Sequence, residues 1–282
     1  SCSLVGSEMC IRDRFYGIEI NDFAVTVART ALWIAESQMM KETEDVVHMS
    51  LDFLPLRSYA NITEGNALRL DWESVVPKHQ LSYIMGNPPF VGYSLQSKEQ
   101  KKDILSIYVN EKGKPYKTAG KIDYVAGWYF KASQLIQGTN IRIAFVSTNS
   151  ITQGEQVAGV WKPLYDRFGI HIDFAYRTFR WDSEANLKAH VHCVIVGFSV
   201  APNNAEKRIY SEEHFQMAEN INAYLMDAPT VFIESRSKSL CEVPEMLYGN
   251  KPTDGGFLFL TNDEYQDVQK REPEILKYIR RV

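Results

Sequence analysis

The four consecutive residues Asn87, Pro88, Pro89 and Phe90 are the residue types in this chain best suited to chemistry. Asn87 offers a neutral amide oxygen that can accept a hydrogen bond. Proline has no backbone N–H, and Pro89 restricts the conformation of Pro88, so the Pro88 carbonyl can be held outward as a second rigid acceptor. Two fixed acceptors suit a planar –NH2 group, and Phe90 offers a face for stacking. The stretch therefore predicts a receptor for an aromatic amine, whose nitrogen becomes more nucleophilic as its hydrogens are accepted.

The elements around this stretch alternate in type. Buried strands are predicted at 15–20, 81–86 and 141–148, and helices at 21–40, 122–136 and 154–168. Such alternation predicts an open, largely parallel α/β sheet. Two late strands, within 170–179 and 189–199, are joined by only about ten residues, too few for a helical crossover, so they should be antiparallel.

Three further stretches carry local predictions. In the first helix, Asn21 or Asp22 can cap the start, and an apolar set recurs at helical spacing, namely Phe23, Val27, Ala31, Ile34 and Ala35. Residues 94–121 are polar and charged and predict a surface excursion. After Pro202 the pattern changes, and 212–226 and 263–281 are predicted to be helical.

Composition limits the classes of protein. The 282 residues are 45% apolar, which suits a globular chain with a sizeable core. The formal net charge of -4 shows no overall basic character, so a nucleic-acid surface would have to be local. No apolar run approaches the roughly 18 residues of a membrane span. The four cysteines lack paired or metal-ligand spacing, which fits a reducing cytoplasm.

Ligands of open α/β sheets bind beyond the carboxyl ends of the strands. Glu19, Asn66 and Asn87 each stand at or near such an end. No metal site is predicted, because His190 and His192 share a strand face but lack a third ligand.

The motifs YGIEI (16–20), GNAL (65–68) and GNPPF (86–90) follow one another in this order along the chain. They resemble the motifs of the amino-group DNA methyltransferases of the N6-adenine type. The segment VSTNSITQG and the late hairpin FRWDSEANLKAHVHCVIVGF resemble the corresponding later motifs. The order, with cofactor motifs before NPPF and target recognition after it, is that of the γ class. The tail of the chain, residues 220–250, further resembles single-chain type IIG restriction–modification enzymes.

The resemblance implies a class I S-adenosylmethionine-dependent methyltransferase, a Rossmann-like α/β sheet with a final antiparallel hairpin. It implies that Asn87, Pro88, Pro89 and Phe90 are catalytic, with Phe90 also stacking on the base. Cofactor contacts would come from Glu19 at the ribose hydroxyls, from Asn66 at the cofactor adenine, and from Ile20, Ala67 and Asn87. Asn66 replaces a more usual Asp, so its contact should be weaker. Trp181 is the first candidate for stacking on the flipped base, and Phe179 the second.

The first motif of the family, a Gly-rich loop after the first strand, is absent. Residues 4–14 resemble a translated sequencing-library adapter, although a natural N-terminus is the alternative. The expected division is an adapter-derived segment at 1–14, an incomplete methyltransferase domain at 15–202, and a connector leading into a target-recognition region at 203–282. The first strand would be missing, leaving either a cleft between the strands ending at Glu19 and Asn87 or their direct pairing. This chain alone should then bind little cofactor.

The expected function is transfer of a methyl group from S-adenosylmethionine to the N6 amino group of adenine in double-stranded DNA. The setting would be a bacterial or archaeal restriction–modification system in the cytoplasm, with a possible upstream nuclease domain and a downstream recognition domain. Two alternatives remain open: a methyltransferase acting on protein glutamine or RNA, and an inactive truncated fragment that binds DNA or nothing.

Overall fold

The computed structural model describes residues 14–48, 61–181, 191–202, 206–212, 214–236, 239, 241–244, 255–257 and 259–280. The chain divides into two compact units, 1–235 and 236–282. In the second unit, a helix begins at a Thr261–Glu264 capping box, as the sequence pattern of 263–281 predicts. The sheet and the candidate site both belong to the first unit.

The described strands form two sheets. They are β1 (Gly17–Glu19), β2 (Ile62–Glu64), β3 (Tyr83–Gly86), β4 (Arg142–Thr148), β5 (His171–Trp181), β6 (Val191–Ser199), β7 (Lys207–Ser211) and β8 (His214–Ala218). β1 and β2 pair in parallel, and the other six lie in the order β3-β4-β6-β5-β7-β8. The predicted late hairpin is confirmed, because β5 and β6 are antiparallel. The larger sheet is mixed, since β3 and β4 are parallel whereas β6 is antiparallel to both of its neighbours.

Several helices accompany the sheets. The α-helices are α1 (Asp22–Val47), α2 (Trp72–Val75), α3 (Lys98–Ile107), α4 (Ala126–Leu135), α5 (Gly154–Gln156), α6 (Lys162–Phe168) and α7 (Asn262–Arg271). A π-helical segment, Val157–Trp161, joins α5 to α6, and the 3-10 segments are Lys78–Gln80, Ala119–Lys121, Asn149–Thr152 and Pro273–Tyr278. Among the described residues, none of these helices is long and apolar enough to traverse a lipid bilayer.

The strand that ends at Glu19 does not pair with the strand that precedes Asn87. Within the described residues β1 pairs with β2, and β3 pairs with β4. Of the two arrangements that the sequence left open, direct pairing of these strands is therefore not the one adopted. Residues 1–13, which include most of the adapter-like segment, lie outside the described part of the chain.

Helix α1 turns its predicted apolar set to the surface. Asn21 caps the helix as predicted, its side chain accepting from Ala24 N at 3.1 Å. However, Phe23, Val27 and Ile34 are 74%, 50% and 45% exposed. The opposite side carries the contacts with β2, where Arg29 Nη2 donates to the Ile62 carbonyl at 3.0 Å. Helical spacing thus predicted the element correctly but not the side that the fold covers.

Two predictions of local structure are wrong. Within the stretch expected to be a surface excursion, α3 begins at a Ser97–Gln100 capping box and buries Asp103 and Ile104. The segment 212–226, expected to be helical, contains strand β8, which pairs with β7 at the edge of the sheet. Ladder hydrogen bonds to β7 outweigh the weak local preference there, because strand formation depends on partners distant in sequence.

An aromatic cluster fills the core between α4 and the sheet. The Tyr129 ring stacks on Phe198 at 5.4 Å and meets Phe145 and Trp161 edge-on at 5.3 and 5.2 Å. Its hydroxyl shares a 2.9 Å hydrogen bond with Ser147, and burial raises the pKa of this tyrosine well above its usual range. Strands β4 and β6 are thereby held against α4.

Gly197 in β6 gives a test of this packing. The Phe174 ring of β5 lies directly over Gly197, in space that a Cβ would occupy. We expect Gly197→Ala to lower the free energy of unfolding by about 1–3 kcal/mol, the usual cost of overpacking. Chemical denaturation measures the change, with Gly120→Ala as control, because a Cβ at Gly120 meets nothing within 4 Å. Equal stability of the two variants would contradict the packing described here.

Candidate active site

The loop of residues 87–96, termed the catalytic loop for the role proposed for it, begins where β3 ends. Gly86 lies opposite Phe145 in the parallel β3–β4 pair, and β4 continues three residues further to Thr148. Asn87 therefore lies at the carboxyl edge of the sheet, as predicted. Its side chain is exposed, whereas Pro88 is buried and Phe90 is half-buried.

The backbone of this loop makes a tight turn at the second proline. The Val91 N–H donates to the Pro89 carbonyl at 3.1 Å. That bond uses the second proline and not the first. This turn does not use the Pro88 carbonyl, which is the acceptor that the sequence predicts for the amine.

The β5–β6 hairpin extends past the same edge. Cys193 pairs with Thr148 on one side and with Phe179 on the other, and Trp181 pairs with Val191 two residues further out. Two residues of strand place Trp181 roughly 7 Å beyond the end of β4. The Phe179 ring meets Tyr176 edge-on at 5.2 Å. The Trp181 side chain and residues 182–190, including His190, lie outside the described part of the chain.

Glu19 stands at the end of β1, as predicted. Its Oε1 accepts from Asn21 N at 3.0 Å, which orients the carboxylate at the start of α1. A carboxylate offers about four lone-pair sites, so this bond leaves it able to accept from a ligand. Ile20, the next residue, is 67% exposed. The Glu19 carbonyl accepts from Gly65 N at 2.8 Å, so the two predicted cofactor segments lie side by side.

Asn66 is bonded at both ends of its amide. Its Oδ1 accepts from Leu68 N at 2.9 Å, and its Nδ2 donates to Asp103 Oδ2 at 3.4 Å. The predicted contact with the cofactor adenine would have to use the remaining lone pair of Oδ1. The carbonyl of Ala67 accepts from Trp72 Nε1 at 2.7 Å and from Lys131 Nζ at 2.9 Å.

Asp103, which the sequence patterns did not predict, links the Asn66 turn to two other segments. Its carboxylate accepts from Arg69 Nε at 2.8 Å and Nη2 at 3.2 Å, and from the Tyr124 hydroxyl at 3.1 Å. The hydrogen bond to this carboxylate, together with its charge, raises the pKa of Arg69. Burial raises the pKa of Tyr124 to about 12, so this hydroxyl stays protonated and donates at neutral pH.

Lys131 is a second residue that contacts the Asn66 turn and that the sequence patterns did not predict. From α4, its ammonium group donates to the carbonyls of Ala67, Leu68 and Leu70. Burial lowers its pKa, an effect that the charge of Asp71 opposes. The signal in the sequence was a lone lysine within the apolar stretch AGWYFKASQL. Three carbonyls on one cation fix the turn that follows Asn66.

We expect Asn66→Asp to destabilise this turn. The change removes the Nδ2 donor and sets a second carboxylate oxygen against Asp103. The expected loss is about 1 kcal/mol in the free energy of unfolding, the net value of one hydrogen bond. Chemical denaturation of the native chain and of the variant measures the difference. A single variant as stable as the native chain would rule out this interaction.

The fold and the site together define a class of protein. A mixed α/β sheet contains the antiparallel β5–β6 pair, and an Asn-Pro-Pro-Phe loop lies at its carboxyl edge, while Glu19 and Asn66 lie at the ends of the paired strands β1 and β2. These features are those of the class I methyltransferase fold.

Comparison with known proteins gives the family. The model described as the MmeI DNA-methyltransferase domain matches residues 7–211, and that described as the MmeI target recognition domain matches residues 227–282. The chain belongs to the family of the MmeI DNA-methyltransferase domain.

Two relatives show the extent of the similarity. DNA methyltransferase A of Bacillus subtilis (strain 168) is 41% identical over 271 residues, which are 95% of this chain and 30% of that protein. The structure of the type IIL restriction–modification enzyme MmeI in complex with DNA is 44% identical, with a TM-score of 0.81 over 94% of this chain and 36% of that one. This chain therefore spans about a third of the length of these relatives.

Proposed function

We propose that this chain forms the catalytic part of a DNA methyltransferase that modifies the N6 amino group of adenine, within a restriction–modification system. The observation that carries the proposal is the position of the Asn87-Pro88-Pro89-Phe90 stretch at the carboxyl edge of the sheet, the edge past which strands β5 and β6 extend. Asn87 Oδ1 and the Pro88 carbonyl would accept the two amino hydrogens. Phe90 would stack on the base.

Acceptance of both hydrogens favours the pyramidal amine, whose lone pair is less delocalised into the ring. The stabilisation grows as positive charge develops on the nitrogen, so it acts on the transition state more than on the ground state. The loop also orients the nitrogen for in-line attack. Adenine must leave the helix to reach the loop, because its amino group is paired within the duplex.

The residues at the ends of β1 and β2 fit S-adenosylmethionine. The Glu19 carboxylate would accept from the ribose hydroxyls, beside the exposed Ile20, and Asn66 and Ala67 would border the cofactor adenine. When bound, this cofactor supplies an electrophilic methyl group. The hydrogen bond from Gly65 N to the Glu19 carbonyl fixes the distance between the two segments. A ligand whose ribose contacts one segment and whose adenine contacts the other requires such a fixed distance.

Analysis of nucleosides tests the proposal. The full-length protein is incubated with S-adenosylmethionine and DNA, and the products are hydrolysed and identified by mass spectrometry. We expect N6-methyladenine. Methylation of cytosine alone, or no methylation by a protein that binds both substrates, would overturn the assignment.

A second candidate keeps the fold and changes the acceptor to RNA or protein glutamine. DNA is favoured because residues 227–282 match the MmeI target recognition domain. Methylation of RNA or of glutamine amides, with DNA left unmodified, would establish the second candidate instead.

A further inference from the structure

We propose that Asp123 is a positioning residue that fixes the catalytic loop against the segment following β4. The inference rests on the proposed function and deepens it. Asp123 lies between the 3-10 turn Ala119–Lys121 and helix α4, and its side chain is only 7% exposed. It touches neither amine nor cofactor in the proposed arrangement.

Asp123 contacts the catalytic loop through one of its carboxylate oxygens. Asp123 Oδ1 accepts from Tyr93 N at 3.2 Å, three residues after Phe90. A Cβ placed on Gly92 would lie 3.7 Å from the same oxygen, so the carboxylate lies close against the backbone of the loop. The flanking residues add two bonds, from Tyr124 N to the Val91 carbonyl at 2.9 Å and from Gln96 Nε2 to the Ile122 carbonyl at 2.9 Å.

Asp123 contacts the segment after β4 through its other carboxylate oxygen. Asp123 Oδ2 accepts from the Ser150 hydroxyl, and Ser150 in turn shares a 2.7 Å hydrogen bond with Thr148, the last residue of β4. Asp123 N donates to Gln156 Oε1 at 3.1 Å, and Gln156 Nε2 donates to the Lys121 carbonyl at 2.7 Å. One carboxylate thus joins the loop after β3 to the loop after β4, through separate oxygens.

The chemistry of the partners explains the residue type. A buried carboxylate is costly unless its oxygens are hydrogen-bonded. Both partners described here present hydrogens, a backbone N–H and a hydroxyl, and an ionised carboxylate only accepts. The Asp123 carboxylate therefore accepts from both loops, from the N–H through one oxygen and from the hydroxyl through the other.

Loss of the Asp123 bonds should lower the rate of methyl transfer and leave the affinity for the cofactor nearly unchanged. The catalytic loop is not part of a ladder beyond Gly86, so its position depends on these bonds to 122–124. A displacement of about 1 Å can cost about 100-fold in rate when acceptors and nucleophile must be aligned. Glu19 and Asn66 are fixed by other contacts, and binding of S-adenosylmethionine should change little when Asp123 is altered.

The test uses single-turnover methylation of adenine by the full-length protein, with Asp123→Ala and Asp123→Asn. The rate constant reports alignment, whereas the amplitude reports the fraction of folded, competent enzyme. Asp123→Ala should lower the rate constant by about 10–100-fold, with the dissociation constant for S-adenosylmethionine within about 3-fold. Asp123→Asn should stay within about 5-fold of native, because its Oδ1 still accepts from Tyr93 and its Nδ2 can donate to Ser150.

Asp166→Ala serves as the control, since Asp166 is a surface carboxylate paired with Lys162 on α6. A native rate constant for Asp123→Ala, or a loss confined to its amplitude, would overturn the positioning role. If Asp123→Ala does not fold, Ser150→Ala decides, because it removes one anchor of the carboxylate: a reduced rate constant supports the role and an unchanged one rejects it. Absence of N6-methyladenine with the native protein would instead reject the proposed function.

Discussion

Replacement of Asn87 by alanine in the full-length protein is expected to lower adenine methylation by about 100- to 1,000-fold, the usual effect of removing one group that stabilises transition-state charge. Asn87 is exposed at the carboxyl edge and offers the side-chain acceptor of the loop. Because it is proposed to contact the amine more than the cofactor, the dissociation constant for S-adenosylmethionine should stay within a few-fold.

Two further variants sharpen this prediction. Asn140→Ala removes an exposed asparagine that lies before β4, at the opposite edge of the sheet, and should methylate normally. Asn87→Asp keeps acceptor oxygens in place and should lose less activity than Asn87→Ala. Radiometric methylation and calorimetric binding give the two readouts, and near-normal methylation by Asn87→Ala would reject the role of this residue.

Glu19→Ala should weaken binding of S-adenosylmethionine by about 1.5–3 kcal/mol, the range for a hydrogen bond to a charged group. In dissociation constants this is roughly 10- to 150-fold. The reason is that Glu19 stands at the end of β1 with its carboxylate oriented by Asn21 N. Titration calorimetry on the full-length protein measures the change.

Glu64 provides the matched control for Glu19. It is the residue opposite Glu19 in the β1–β2 pair, and it is exposed. Glu64→Ala should bind the cofactor as the native protein does. An unchanged dissociation constant for Glu19→Ala, or an equal loss for both variants, would rule out the ribose contact.

Local patterns were sufficient for the elements that depend on neighbours in sequence. The apolar run before Asn87, the prolines after it and the cap at Asn21 were read directly, and β3, the loop and α1 follow them. The short connection between the two late strands required an antiparallel hairpin, which β5 and β6 form. Each of these features is decided by residues within one element or one turn.

The sequence by itself determined the class of fold, the order of its motifs and the position of the Asn-Pro-Pro-Phe loop at a strand end. Only the tertiary structure decided which side of α1 is covered, that 214–218 pairs as a strand, and that Asp103, Asp123 and Lys131 fix the turns of the site. The physical reason is that a buried charge needs partners for its hydrogen bonds. Those partners lie 21 to 64 residues away along the chain, where no local spacing indicates them.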